Sequence, residues 1–281
     1  MADIKIDGNT LTIEQAMSIS RGESTCTLAS ESKEIMNRSR AAVEEIIRSG
    51  DTVYGINTGF GAMSSVRIEN EELEALQANL VRSHACGVGD RMDPEHVLLM
   101  MVFRANSIAK GVSGARPELV EHILSMVNSR ISPDVPRIGS LGASGDLAPL
   151  SHMALSMMGE GNCSVYDNGS WKHQGSKEAL ANAGLKPIKL QAKEGLSLIN
   201  GTSQMCAYLA STLLNMETLS FAADASLACS LEAIRGSQKP FDPRVHSSRP
   251  QFGQALSAAR VLELLSDSEV SSSNDNYDRV Q

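Results

Sequence analysis

The chain has 281 residues, 42% of them hydrophobic and 21% charged, with a net charge of −8. That length can bury a large core and form one or two domains. The acidic balance, the absence of long basic runs and an aromatic content of 4% argue against nucleic acid as a main partner.

In chain order, residues 4–6 and 10–13 suggest two short strands of an N-terminal hairpin around Gly8-Asn9. Residues 31–48 carry Ile35, Val43, Ile46 and Ile47 on one side of an amphipathic helix, with Gly50 as its stop. Asn70 is placed to cap a helix holding Leu73, Leu76, Leu80, Val81 and His84, ended by Gly87. Asp93-Pro94 opens the next helix and Gly111 closes it; Pro117 opens another that runs to about Ser129. Residues 164–173 read as a hairpin around Asp167-Asn168-Gly169. From Thr202 to Arg235 one helical pattern runs without a Pro or Gly, a length that suggests a bundle. Residues 254–265 form a further amphipathic helix, and residues 266–281 read as a polar loop. The expected fold class is mainly α. An N-terminal domain over residues 1–199 contains the short strands, and residues 200–281 begin a long-helix bundle.

The five cysteines, Cys26, Cys86, Cys163, Cys206 and Cys229, are odd in number, widely spaced and without a Cys-x-x-Cys pair. They read as free thiols of a reducing compartment. The N-terminus lacks the apolar core of a secretory signal, and the longest apolar run, residues 97–103, is too short to span a bilayer. The expected location is cytoplasmic. The six histidines include no pair at ligand spacing around a carboxylate, so no metal site is expected.

The stretch from Gly139 to Leu150 carries the most specific chemistry. Within Ala143-Ser144-Gly145, the Gly145 nitrogen can attack the Ala143 carbonyl carbon and close a five-membered ring through Ser144. Loss of water and of the Ser144 hydroxyl then leaves an exocyclic methylidene. Gly145 has no Cβ to block the approach and tolerates strained dihedrals. Ala143 is small, Ser144 carries the leaving group, and Asp146 is placed to take or relay protons. A bare Ala-Ser-Gly is more often a plain turn before a helix.

Four other segments stand out. Tyr54 to Gly61 has three glycines in eight residues, a loop that approaches something closely; without Gly-Lys-Ser/Thr and a following helix it is no phosphate cradle. Its tyrosine, taken alone, reads as a hydroxyl capping the loop. His84, four residues after Leu80, shares that helix's apolar face, where a lone histidine is usually a satisfied core residue. Arg104 to Pro117 reads as architecture, with Gly111 and Gly114 shaping a turn and Arg116 binding helix-end carbonyls or a carboxylate. Lys193 to Thr202 reads as a loop opening the long helix, with Thr202 as N-cap.

Together these strings, with Asn276-Tyr277-Asp278-Arg279-Val280-Gln281 at the end, resemble in order the motifs of the aromatic amino acid ammonia-lyases. Those enzymes make methylidene-imidazolone (MIO) from Ala-Ser-Gly. The resemblance implies that Ala143, Ser144 and Gly145 form MIO, with Ser144 and Tyr54 catalytic, Tyr54 as the base that removes a substrate β-proton. A tyrosine that titrates near pH 10 (about its value in water) would need a positive field, such as helix N-termini, for that work. His84, Asn200 and Gln281 are implied as substrate-binding residues. The pair Ser83-His84 is similar to the histidine-specific version, where His84 would hydrogen-bond an imidazole. The implied reaction is elimination of ammonia from L-histidine to trans-urocanate. It would proceed either by addition of the substrate amine to the methylidene or by attack of the aromatic ring on it. Phenylalanine or tyrosine as substrate, a 2,3-aminomutase outcome, and a portion inert without the rest of the motifs are the alternatives. The implied partners are further copies in a homotetramer, or a complementary C-terminal polypeptide carrying the Tyr and carboxylate-binding Arg expected after Gln281.

Overall fold

The computed structural model describes residues 2–60, 66–141 and 145–270. The chain separates into two compact units, residues 1–210 and 211–281.

The first unit opens with β1 (Ala2–Ile6) and β2 (Ser24–Leu28), which pair in parallel with Ile4 opposite Cys26. The crossover between them is α1 (Ile13–Arg21). This corrects the expected hairpin, because residues 10–13 form no strand. Thr12 instead caps α1: the Gln15 N–H donates to Thr12 Oγ1 at 3.2 Å, and the Thr12 N–H donates to Gln15 Oε1 at 3.1 Å. This reciprocal box satisfies two otherwise orphaned donors and outweighs the strand propensity of Thr and Ile.

Next come α2 (Ser30–Ser49), stopped by Gly50 in the left-handed region, and α3 (Leu73–His84). A 3-10 turn, Asn70–Glu72, precedes α3, so Glu72 and not Asn70 holds the cap position, and the helix ends three residues before Gly87. β3 (Val88–Arg91) pairs antiparallel with β5 (Pro136–Ile138). Between them lie α4 (Pro94–Ala109), α5 (Pro117–Asn128) and β4 (Ile131–Pro133). Asp93 accepts the Glu95 N–H at 2.9 Å at the start of α4, as its sequence signal requires.

β4 is joined by β6 (Asn162–Asp167) and β7 (Ser170–Gly175) in an antiparallel sheet. The β6–β7 turn has Asn168 at φ 49° and Gly169 at φ 83°. Both are left-handed, as a tight two-residue hairpin demands. α6 (Leu147–Met157), α7 (Ser176–Asn182) and α8 (Glu194–Ile199) complete the layer around the core. That core is built on α4, α5 and α6, with Leu98, Met100, Met101, Leu119, Ile123, Met126, Leu150 and Met153 fully buried. Cys26 and Cys163 are buried free thiols, and the other three cysteines are exposed and free.

The longest helix, α9 (Ser203–Ala233), begins in the first unit and continues into the second. The second unit adds a 3-10 turn (Lys239–Phe241), α10 (Pro243–Ser247) and α11 (Phe252–Leu264). Its small core is Ala228, Val261 and Leu265. Among the described residues no helix is long and apolar enough to cross a membrane.

Candidate active site

Ala143 and Ser144 lie outside the described residues, as does Gln281, so the site is built from what flanks them. Gly145 has φ +82°, and a Cβ added there would fall 2.6 Å from Met205 Cε. The left-handed φ favours glycine here, and any Cβ would also require the Met205 methyl to move. The Gly145 carbonyl accepts the Leu147 N–H at 2.7 Å, closing a tight turn over Asp146.

Asp146 is 0% exposed. Its Oδ1 accepts the Ser140 hydroxyl at 2.7 Å. Its Oδ2 accepts the N–H groups of Gln204 at 2.7 Å and Met205 at 3.0 Å. The carboxylate thus crosses from the start of α6 to cap the first turn of α9, where a negative charge meets unpaired donors and the positive end of the helix dipole. Thr202 holds the N-cap position expected of it, its carbonyl accepting the Cys206 N–H at 2.9 Å, but its hydroxyl sits 3.8 Å from Cys206 Sγ and the side-chain cap is supplied by Asp146. With both oxygens hydrogen-bonded, Asp146 anchors this turn.

The main-chain N–H of Asp146 donates to the Gly201 carbonyl at 3.1 Å. Asn200, exposed at the C-terminal end of α8, therefore stands one residue from the partner of the Gly145–Asp146 peptide. Beneath that turn is Arg104 of α4, 5% exposed. Its Nη2 donates to the Ser197 carbonyl, and its buried Nε has no partner. Burial pushes the Arg104 guanidinium down to about 10. α8 itself is fixed by Glu194, 0% exposed, which accepts Arg116 Nε and Nη2, each at 2.8 Å, and the Gln191 N–H at 2.8 Å. Arg116 also donates to the Lys189 carbonyl at 2.9 Å, a loop carbonyl and not a helix end, so of the two kinds of partner expected of it the carboxylate is the one it binds.

Tyr54 is 58% exposed and meets Phe60 edge-on, with ring centroids 6.2 Å apart. Its loop is shaped by buried Asn57, which accepts the Val53 N–H at 2.8 Å and donates to the Asp51 carbonyl at 2.7 Å. The loop is seated on α8: a Cβ added at Gly55 would be 2.9 Å from Leu196 Cδ2. The half-buried His84 places Nδ1 2.9 Å from the Leu80 carbonyl and 3.1 Å from Ser83 Oγ. A carbonyl can only accept, so Nδ1 carries a proton, and in the Nδ1–H tautomer Nε2 is an acceptor.

The segment after His84 is tied to the loop that leads to Ala143. The Gly87 N–H donates to His152 Nε2 at 3.1 Å, and a Cβ added at Gly139 would lie 3.1 Å from Gly87 Cα. Burial lowers the pKa of His152, which keeps that nitrogen an acceptor.

Gly145 and the Asn200-Gly201 turn are thus in direct contact. Gly87, three residues after His84, packs on Gly139, and Gly55, next to Tyr54, packs on Leu196; the side chains of His84 and Tyr54 themselves contact Leu80 and Ser83, and Phe60. Arg104 and the capping work of Asp146 escaped the sequence reading. The signal for Arg104 was present: it is the one charge in the mostly apolar stretch 97–109.

Residues 11–281 match the sequence profile of aromatic amino acid lyases. The chain belongs to the aromatic amino acid lyase family. A histidine ammonia-lyase of Shewanella woodyi is 45% identical to it over 284 residues, 100% of this chain and 54% of that protein. The crystal structure of histidine ammonia-lyase from Trypanosoma cruzi superposes with a TM-score of 0.84 at 36% identity, over 92% of this chain and 49% of that one. The tyrosine aminomutase of Streptomyces globisporus superposes with a TM-score of 0.85 at 32% identity, over 100% of this chain and 54% of that one. The chain spans about half the length of the curated relatives it matches. A lyase and an aminomutase share this backbone equally well, so the fold does not choose between their reactions.

Proposed function

We propose that the chain is the N-terminal part of an ammonia-lyase that converts L-histidine to trans-urocanate and ammonia. The observation that carries the reading is 45% identity over the whole chain to a histidine ammonia-lyase. The side chains add a reason for the substrate. His84, with Nδ1 tied to Leu80, offers Nε2 as an acceptor for an imidazole N–H, which the ring of phenylalanine lacks.

The family implies MIO, and the residues present fit it. Ala-Ser-Gly supplies the atoms. Gly145 sits in a left-handed conformation with its Cβ space already taken by Met205, and its neighbour Asp146 is pinned through both main chain and side chain. When formed, that group supplies the electrophile that no ordinary side chain offers. The chain's own residues do the rest. Tyr54, whose neighbour Gly55 packs on Leu196 of α8, is the proposed base for the substrate β-proton. Asn200, beside Gly201, is a proposed hydrogen-bond donor to substrate or prosthetic group. Gln281 is the proposed third substrate contact. Cytoplasmic location and assembly with a C-terminal polypeptide or further copies complete the proposal. The exposed apolar row Leu213, Met216, Leu219 and Leu227 on α9 supports burial in a larger assembly.

The test is product formation by the chain, alone and with a polypeptide carrying the remaining family motifs. Absorbance of a conjugated acid should grow with histidine and not with phenylalanine. Growth with tyrosine but not histidine would overturn the substrate assignment.

A further inference from the structure

Ring closure at residues 143–145 asks one main-chain nitrogen, that of Gly145, to reach a carbonyl carbon two residues back. Holding that nitrogen in place lowers the entropic barrier to closure. Three restraints act on the adjoining peptide. The Asp146 N–H is held by the Gly201 carbonyl, the Asp146 carboxylate is held by the first turn of α9, and the Gly145 carbonyl is held by the Leu147 N–H. Two of the three end on residues 201–205, so the placement of Gly201 decides where the Gly145–Asp146 peptide sits.

Gly201 rests on Arg104. A Cβ added at Gly201 would fall 2.1 Å from Arg104 Nη1, so the guanidinium occupies the space where a side chain would stand. Its Nη2 donates to the Ser197 carbonyl inside α8, the helix that leads into Asn200 and Gly201. Arg104 is nearly fully buried, its Nε is unpartnered, and no carboxylate among the described residues pairs with it. Burying a guanidinium without a counter-ion is costly, and an apolar side chain would fill the volume more cheaply. What Arg104 alone supplies is a rigid planar wedge under Gly201, locked by a charge-assisted bond to Ser197.

We propose, on the reading of Ser144 given above, that Arg104 is a positioning residue for ring formation: from beneath Gly201 it sets the carbonyl that holds Asp146 and so restrains the Gly145 nitrogen during its attack on Ala143. In that step the Gly145 nitrogen bonds to the Ala143 carbonyl carbon. The carbonyl oxygen leaves as water with the amide protons of Ser144 and Gly145, and the Ser144 hydroxyl leaves as a second water with the Ser144 Cα proton. No oxidant or reductant is consumed.

The experiment follows the mass of the peptide spanning residue 144 with time after synthesis, in the unsubstituted chain and in Arg104→Lys, Arg104→Met and Gly201→Ala, with circular-dichroism melts to select folded protein. The unsubstituted chain is expected to lose two waters. Folded Arg104→Met should convert at least about tenfold more slowly, a change of about 1.4 kcal/mol in the barrier, with Arg104→Lys recovering part of the rate. If Arg104→Met does not fold, Gly201→Ala keeps every other side chain, intrudes only on the guanidinium, and should slow conversion likewise. Conversion of the folded variants at the unsubstituted rate overturns the role of Arg104. Absence of water loss from the unsubstituted chain is a different result: it removes the reading of Ser144, and this inference with it.

Discussion

At the scale of single residues, the site depends on groups whose hydrogen-bonding capacity is already spent. Asp146 makes three bonds through a fully buried carboxylate. Asp146→Ala leaves the Gln204 and Met205 N–H groups without that acceptor and should cost about 3 kcal/mol in a urea titration. Asp146→Asn should cost only about 1 kcal/mol, because its Oδ1 can still accept from α9 while its amide donates to a rotated Ser140 hydroxyl. Equal losses for the two would contradict this geometry. His84 has Nδ1 tied to Leu80, which leaves Nε2 for the substrate contact proposed above. In the complete enzyme, His84→Leu should lower kcat/KM for histidine about 10–100-fold and spare the melting temperature; an unchanged kcat/KM would remove His84 from the site. His122 and His152 both have pKa values lowered from 6.5 by burial. The unfolded chain therefore takes up protons before the folded one does. The stability these two residues contribute is complete above pH 6.5 and falls as pH drops from there towards their folded values, by up to about 1.4 kcal/mol per unit per group. Urea midpoints measured from about pH 8 down to about pH 5 should show this fall, and replacing both histidines by glutamine should flatten it.

At the scale of elements, most helix starts were legible because each carries a local signal. Asp93-Pro94 and Pro117 open α4 and α5, and Gly50 closes α2. The Asn168-Gly169 turn was legible for the same reason, since both residues tolerate the left-handed region. Two elements were not. The strand pattern at residues 10–13 hid a capping box, and β1 pairs with a segment beyond α1, a choice made by burial of Ile6, Cys26 and Leu28 and not by any turn. The cap of α9 was invisible because Asp146 reaches it from 58 residues away in sequence. The same holds for Arg104 beneath Gly201: a lone arginine in an apolar run marks a buried charge but does not say what lies above it. α8 makes the clearest element-scale prediction. Glu194→Gln leaves Arg116 facing a neutral amide at a fully buried position, and should destabilise the folded state by about 3 kcal/mol without altering the far-ultraviolet spectrum; a change under about 0.5 kcal/mol would mean that the pair is dispensable.

At the scale of the whole molecule, family membership and the mainly helical fold could be read from the sequence, because the motifs are long strings in fixed order. The contact of the Gly145–Asp146 peptide with Gly201, next to Asn200, could not, because the two segments are far apart in sequence and meet through a main-chain carbonyl. Everything functional rests on Ala143, Ser144 and Gly145 becoming an electrophile. The direct measurement is the intact mass of the peptide spanning residue 144, taken from the protein in its active assembly. The account predicts a peptide lighter than its sequence by two waters; a peptide of full mass from a preparation that releases ammonia from histidine would contradict it.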